Sequence, residues 1–336
     1  MTGGAGFIGS AFVRRALARP DVTQLTVLDK LTYAGNPANL AEVEDDARYR
    51  FVQADINDAP IVTELMAEAD AVVNFAAESH VDRSIERADA FVQTDVHGTF
   101  TLLEAARATG VGRFVQVSTD EVYGDVAEGA SRETDALRPR SPYAASKAAG
   151  DLLALAYHAT HRLPVMVTRG SNTYGPRQYP EKVIPLFVTN AIDGEPLPLY
   201  GDGLQVRDWL HVDDHCAAVE TVLERGEPGG AYNIGGTASL SNLELTHRLL
   251  ALLGRPVSLV RHVTDRPGHD RRYALDSSKV RALGWTPRVE FDDGLAGTVE
   301  WYQDNESWWR PIKDGSFADY YRRLYAERLA TSSAAP

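Results

Sequence analysis

The chain has 336 residues, with 34 Lys+Arg against 47 Asp+Glu and a formal net charge of −13. An acidic chain without a basic run is a poor binder of nucleic acid, no apolar stretch approaches the roughly 20 residues that cross a bilayer, and no signal peptide is expected. A single cysteine, Cys216, excludes an intrachain disulfide and a cysteine-cluster metal site, so the composition points to a cytoplasmic enzyme of one large α/β unit or two domains.

The first ten residues, MTGGAGFIGS, contain Gly4-Ala5-Gly6-Phe7-Ile8-Gly9, a G-x-G-x-x-G pattern, and the overlapping series Gly3, Gly6, Gly9. Such glycines permit a tight turn, close approach of a pyrophosphate and helix–strand packing. The spacing of Phe7, Ile8, Phe12, Val13 and Leu17 predicts a helix over 7–18 whose first amides face the phosphates. Thr26-Val27-Leu28-Asp29 reads as a buried strand ending in an acid, placed to accept from a ribose 2′-OH and to repel a 2′-phosphate, which favours NAD over NADP. A bare loop cap is the alternative role for Asp29. In a dinucleotide fold the first strand is central, yet only Met1 and Thr2 precede the loop. A functional protein that begins a few residues upstream, with an apolar strand, is therefore expected.

Strands are predicted at 24–29, 49–53, 71–75, 113–118 and 165–169, with helices between them, notably 90–109 and 143–161. This alternation predicts a doubly wound parallel sheet. Beyond Arg169, Pro176, Pro180, Pro185, Pro196 and Pro198 mark a smaller, loop-rich region, with a strand at 231–234 and a helix at 242–254. The expected division is a dinucleotide-binding domain over 1–169, a mainly substrate-binding domain over 170–330 interleaved with it, and a frayed tail over 331–336.

Ser118-Thr119-Asp120-Glu121-Val122-Tyr123-Gly124 follows a predicted strand. Ligands of open α/β sheets bind beyond the carboxyl ends of strands, so a hydroxyl and two carboxylates fall where a substrate would lie. Helix N-terminal charge is the alternative for the acids. Tyr143 and Lys147 are four apart and share a helix face, where the cation is expected to lower the phenol's pKa and make it a usable base.

With these motifs in hand, the chain resembles the extended short-chain dehydrogenase/reductases, and among them the nucleotide-sugar 4,6-dehydratases. The likeness runs through Leu28-Asp29-Lys30-Leu31-Thr32-Tyr33-Ala34-Gly35-Asn36, Asn74-Phe75-Ala76-Ala77-Glu78-Ser79-His80, Tyr179-Pro180-Glu181-Lys182, Arg207-Asp208-Trp209 and Asp265-Arg266-Pro267-Gly268-His269. It implies a Rossmann fold that keeps NAD bound through Gly3, Gly6, Phe7, Ile8 and Gly9, through Asp29, Lys30 and Thr32, and through Asp55, Ile56, Ala76 and Ala77, with Tyr143 and Lys147. It implies dTDP-glucose or a similar nucleotide sugar as substrate. In the implied reaction Tyr143 takes the C4 hydroxyl proton, Thr119 bonds the C4 oxygen, Glu121 removes the C5 proton and Asp120 protonates the departing C6 hydroxyl. The sugar would lie near Ser79 and Asn172, with Glu181 and Lys182 toward sugar and diphosphate. Arg207, Arg266, His269 and Asn242 would hold the diphosphate, and Pro198 and Tyr200 the base.

A 4-epimerase of the same fold needs the Tyr–Lys pair and the hydroxyl but not Asp120 and Glu121. A dehydratase for another nucleotide sugar, or a non-catalytic NAD sensor, also stays open. Gly170 and Thr173 depart from the commonest family form, in which Cys and Asn are expected. His211 and His215 are spaced as metal ligands could be, but no third ligand is evident and no metal is expected. Trp301, Trp308 and Trp309 read as packing for a C-terminal helix. The helices at 90–109 and 143–161 resemble those that pair across a four-helix dimer interface, and the first carries an apolar surface broader than one core face needs.

Overall fold

Residues 1–334 are described, in a computed structural model. The strands in chain order are β1 (Leu25–Asp29), β2 (Tyr49–Gln53), β3 (Ala71–Asn74), β4 (Arg113–Thr119), β5 (Val165–Gly170), β6 (Asn172–Tyr174), β7 (Leu197–Tyr200), β8 (Val206–His211), β9 (Ala231–Ile234), β10 (Ala238–Ser241), β11 (Val260–Val263) and β12 (Ser333–Ala334). The predicted strands of the first half lie within a residue or two of these bounds. β4 and β5 are buried along nearly their whole length, as strands covered by helices on both faces must be.

The doubly wound sheet is present. β1 pairs with β2, and β3, β4, β5 and β9 follow one another in order, every pair parallel. Thr2 joins the two parts through parallel bridges to Leu28 and Asn74. Its amide donates to Val73 O (3.1 Å), its carbonyl accepts from Phe75 N (3.2 Å), and Gly3 N donates to Leu28 O (2.9 Å). Its hydroxyl donates to Asn74 Oδ1 at 2.5 Å. Met1 and Thr2 thus occupy the central position of the sheet with two residues. The helix Phe7–Leu17 then packs Phe12 and Ala16 toward the helix Val212–Arg225 and buries Val13 and Leu17 with Val27 and Leu40.

The helix predicted at 90–109 is interrupted. Asp89–Phe91 and Thr99–Thr109 are α-helical, and Val92–Gly98 between them is a π-helix, a form enriched at functional sites. It turns Thr94 and Asp95 into the interior. The helix Pro142–His161 starts where Ser141 Oγ accepts from Ala144 N (3.1 Å), with Pro142 in the first turn.

Two small sheets, β10-β8-β6 and β12-β11-β7, form the other lobe. Its core gathers Tyr174, Phe187, Leu197, Trp209, Leu249 and Trp309. Trp309 is fully buried, and Trp301 and Trp308 pack on the same core. The chain passes between lobes, since β9 returns to the large sheet after β6, β7 and β8. Within the tail expected to fray over 331–336, β12 pairs antiparallel with β11, Arg261 opposite Ala334 and His262 opposite Ser333. Residues 335–336 lie outside the described residues.

Candidate active site

Loops and helix starts from many parts of the chain converge on one cavity at the carboxyl ends of the large sheet. Its floor at one end is the glycine loop. Gly3 has φ +66°, and a Cβ there would meet Ala76 N at 2.6 Å. The loop can therefore press against the backbone of Phe75 and Ala76 only as glycine. Gly6, Phe7, Ile8 and Gly9 present the start of a helix to the cavity, a ready anion site. Asp29 ends β1 beside them. Its two carboxylate oxygens accept from Ala5 N and Leu31 N, both at 2.9 Å, which aims the carboxylate and leaves lone pairs free for a ribose. These residues fit a dinucleotide. Lys30, Thr32 and Ile56 line the same end. Asp55 does not: it caps the turn to Asn57 (2.9 Å) and faces Lys30 at 3.5 Å, just behind the wall.

At the other end stands the reacting cluster. β4 delivers Thr119, whose Oγ1 caps the short 3-10 turn Asp120–Tyr123 by accepting from Glu121 N (3.3 Å) and donates to Asp120 Oδ1 (3.1 Å). Asp120 is 3% exposed, and its Oδ2 has no partner. Burial, then the charges of Glu121 and Asp208, push its carboxyl well above the usual carboxylate range. Glu121 is raised by burial too, but Arg266, Arg207 and Lys182 pull it back.

Tyr143 corrects an expectation. Its phenol is pushed up, not down, by burial and then by the Glu121 and Asp95 carboxylates, against the hydrogen bond of the Thr119 hydroxyl. Lys147 is committed elsewhere, its Nζ donating to Val117 O at 2.8 Å. Spacing on a helix showed the cation but not the carboxylates that topology brings in.

Ser79, Asn172, Glu181 and Lys182 all line the cavity. Glu181 is held by Tyr33 Oη (2.8 Å) and Arg83 Nε (3.0 Å), while Lys182 Nζ donates to Ser79 O. The Arg83 guanidinium is clasped between the rings of Tyr33 and Tyr320, 3.9 Å from each centroid. The remaining expected substrate residues stand outside the cavity wall, in a flank continuous with Glu121. Arg207 donates to Asp270 O (3.0 Å) and stacks over Tyr273 at 4.3 Å. Arg266 faces Asp82 at 3.5 Å, with its Nε unpartnered. His269 Nδ1 lies 2.6 Å from Asp265, and its ring packs edge-on to Tyr200. Pro198 and Tyr200 are on β7, and Asn242 opens the helix Asn242–Leu253, its amide donating to Gln205 O (3.0 Å).

Sequence reasoning missed Asp82 and Asp95 here and weighed His215 only as a metal ligand. Asp82 accepts from Tyr200 Oη (3.1 Å) and tethers Arg266. Asp95 accepts from Glu78 N (3.1 Å) and Ser146 Oγ (2.7 Å), and burial lifts its carboxyl to about 6. His215 lines the cavity, whereas His211 caps its own helix at Asp213 N. An acid between Val92 and Val96 within a predicted helix was the available signal for Asp95.

A family model described as GDP-mannose 4,6 dehydratase matches residues 1–298. A dTDP-glucose 4,6-dehydratase of Streptomyces niveus is 57% identical over 318 residues, spanning 93% of this chain and 95% of that one. One of Streptomyces griseus is 58% identical over 316 residues, 93% and 96% of the two chains. Among solved structures, the dTDP-glucose 4,6-dehydratase DesIV of Streptomyces venezuelae, with NAD bound, superimposes with a TM-score of 0.92 at 56% identity, covering 93% of this chain and 98% of that one.

Proposed function

The chain belongs to the GDP-mannose 4,6-dehydratase family, and from that premise we propose that it is an NAD-dependent enzyme that converts dTDP-glucose into dTDP-4-keto-6-deoxyglucose and water. The observation that carries this reading is the Asp120–Glu121 pair at the end of β4, with its unequal surroundings. A 4-epimerase has no use for it.

Bound NAD supplies a hydride acceptor at C4 and the same hydride for C6. Everything else falls to side chains. Tyr143 receives the C4 hydroxyl proton, and Thr119 holds the C4 oxygen. The upward push of burial makes the Tyr143 phenolate the stronger base for that proton, and passage of the proton from Tyr143 through solvent to the spent Asp120 carboxylate restores the enzyme. The C4 ketone acidifies C5–H, and Glu121 takes that proton. Asp120, kept protonated by burial, gives its proton to the C6 hydroxyl, which departs as water with the C6–O bond pair. Glu121 would return a proton to C5 as C6 takes back the hydride, so the sum is substrate minus one water. Two adjacent acids with separated affinities for protons suit these opposite duties. Lys182, Arg207 and Arg266 provide the cations that an anionic nucleotide sugar needs against a net charge of −13.

A cytoplasmic homodimer is part of the same reading. Val92 and Phe100 on one helical run and Leu152 on the helix Pro142–His161 are exposed, and the two runs pack side by side within the chain. A second copy laying the same faces on these would complete a four-helix bundle.

The test is incubation of the purified protein with dTDP-glucose, without added dinucleotide. Loss of the mass of one water is expected. Conversion to the galactose epimer with no loss of mass would assign an epimerase and remove the roles given to Asp120 and Glu121.

A further inference from the structure

His215 lies on the helix Val212–Arg225, is 2% exposed and borders the cavity. Its Nδ1 is 2.8 Å from Thr173 Oγ1, while the Thr173 hydroxyl donates to Ser171 O at 3.1 Å. A hydroxyl has one proton. Thr173 therefore accepts from Nδ1–H, and Nε2 is left as a lone pair. That nitrogen is buried and has no partner in the protein. Burial also holds the ring neutral, its pKa down at about 4. An unmet buried acceptor is costly, and a ligand in the cavity can supply the N–H or O–H.

Gly170 and Thr173, the two positions where Cys and Asn were expected, both serve this ring. A Cβ on Gly170 would meet His215 Cε1 at 2.7 Å and Nε2 at 2.8 Å, so glycine makes the space and threonine sets the tautomer. The order of the sheet fixes which ligand atoms come near. Asp29 ends β1, on one side of Thr2; Gly170 ends β5, beyond β3 and β4 on the other side. The neighbouring Cys216 Sγ reaches Ile8 O at 3.6 Å, at the start of the first helix. A dinucleotide with its ribose on Asp29 and its pyrophosphate on that helix start carries its nicotinamide toward His215.

Resting on the NAD reading above, we infer that His215 Nε2 accepts a hydrogen bond from the carboxamide NH2 of the nicotinamide and so fixes which face of the ring turns toward Tyr143. His215 is a positioning residue for hydride transfer, and Thr173 positions it in turn.

The experiment compares equilibrium binding of NAD and of 3-acetylpyridine adenine dinucleotide, in which a methyl ketone replaces the amide and no N–H remains. Protein stripped of dinucleotide is titrated calorimetrically as wild type, His215→Phe, Thr173→Val and Thr173→Ser. Wild type should prefer NAD by about fivefold to tenfold. His215→Phe should bring the ratio close to one. Thr173→Val should lower it too, because the ring is freed to place its proton on Nε2, and Thr173→Ser should restore it. Should His215→Phe fail to fold, the threonine pair reads the same ratio. Equal affinities in wild type, or a preference that neither substitution changes, overturns the inference while leaving NAD binding intact; a rise in the KM for sugar with an unchanged ratio does the same and assigns Nε2 to a sugar hydroxyl. Failure to bind either dinucleotide overturns the cofactor reading and this inference together.

Discussion

Asp120 and Glu121 are consecutive, yet after burial Glu121 meets first the positive charges of Arg266, Arg207 and Lys182, while Asp120 meets first the negative charges of Glu121 and Asp208 and only then Arg207. The 3-10 turn at the end of β4 produces this split by sending successive side chains in different directions. Asp120→Asn keeps the shape but has no acidic proton. Turnover should fall by roughly 10²–10⁴-fold, with the oxidised sugar and reduced dinucleotide accumulating and with C5–H still exchanging against deuterated water. Glu121→Gln should lower turnover similarly and abolish that exchange. NMR of recovered sugar separates the two; exchange persisting in Glu121→Gln would assign the base elsewhere.

Arg266 is the first of the cations that pull Glu121 down. Replacing it with methionine removes that pull, so the carboxyl rises further. Glu121 acts as a base only when ionised. The acidic limb of the kcat–pH profile should therefore move to higher pH in Arg266→Met. The KM for the nucleotide sugar should rise about tenfold or more, the usual size for a lost charged hydrogen bond. A raised KM with an unmoved limb would confine Arg266 to binding.

Where local pattern determines structure, the sequence was readable. The helix Pro142–His161 has a serine cap, a proline in its first turn and a left-handed residue at its end, Arg162, and its predicted bounds differ by one residue. β2 and β9 were placed to the residue because each is a short stretch rich in aromatic and β-branched residues. The second lobe was not so legible. β7 contains Pro198, and β6 and β10 have three and four residues, too few for a period to show. The π-helix Val92–Gly98 has no period of its own to read. In the site, spacing put Tyr143 beside Lys147. It could not supply Asp95 or Glu121, whose approach depends on how β4 and the helical run around Asp95 meet.

Asp95 offers a stability test. Its folded value, about 6, lies above the ordinary 3.8. Folding then favours the protonated form: its contribution is fully present below pH 4 and is lost as pH rises through 6. The loss is on the order of 2–3 kcal/mol. Asp95→Asn, which keeps an acceptor for Glu78 N and can donate to Ser146 Oγ, removes this dependence. Subtracting the variant's stability curve from that of wild type should leave a fall between pH 4 and 6. A flat difference would mean that Asp95 stays ionised in the folded state.

Val92, half-buried Val96 and Phe100 recur every four residues along one face of their helical run, and Leu152 is exposed on the neighbouring helix. Val92, Phe100 and Leu152 are 55%, 43% and 58% exposed. In a two-fold bundle each is buried twice, once per protomer. At about 1.5–3 kcal/mol for full burial of such a side chain, and with roughly half of each left to bury, the six together contribute several kcal/mol to association. The face is far from the fold's own core, so polar replacements there leave each protomer folded. Val92→Asp with Leu152→Asp should convert a dimer to a monomer in sedimentation velocity, with an unchanged far-ultraviolet circular dichroism spectrum. A double variant that stays dimeric would place the interface on another surface.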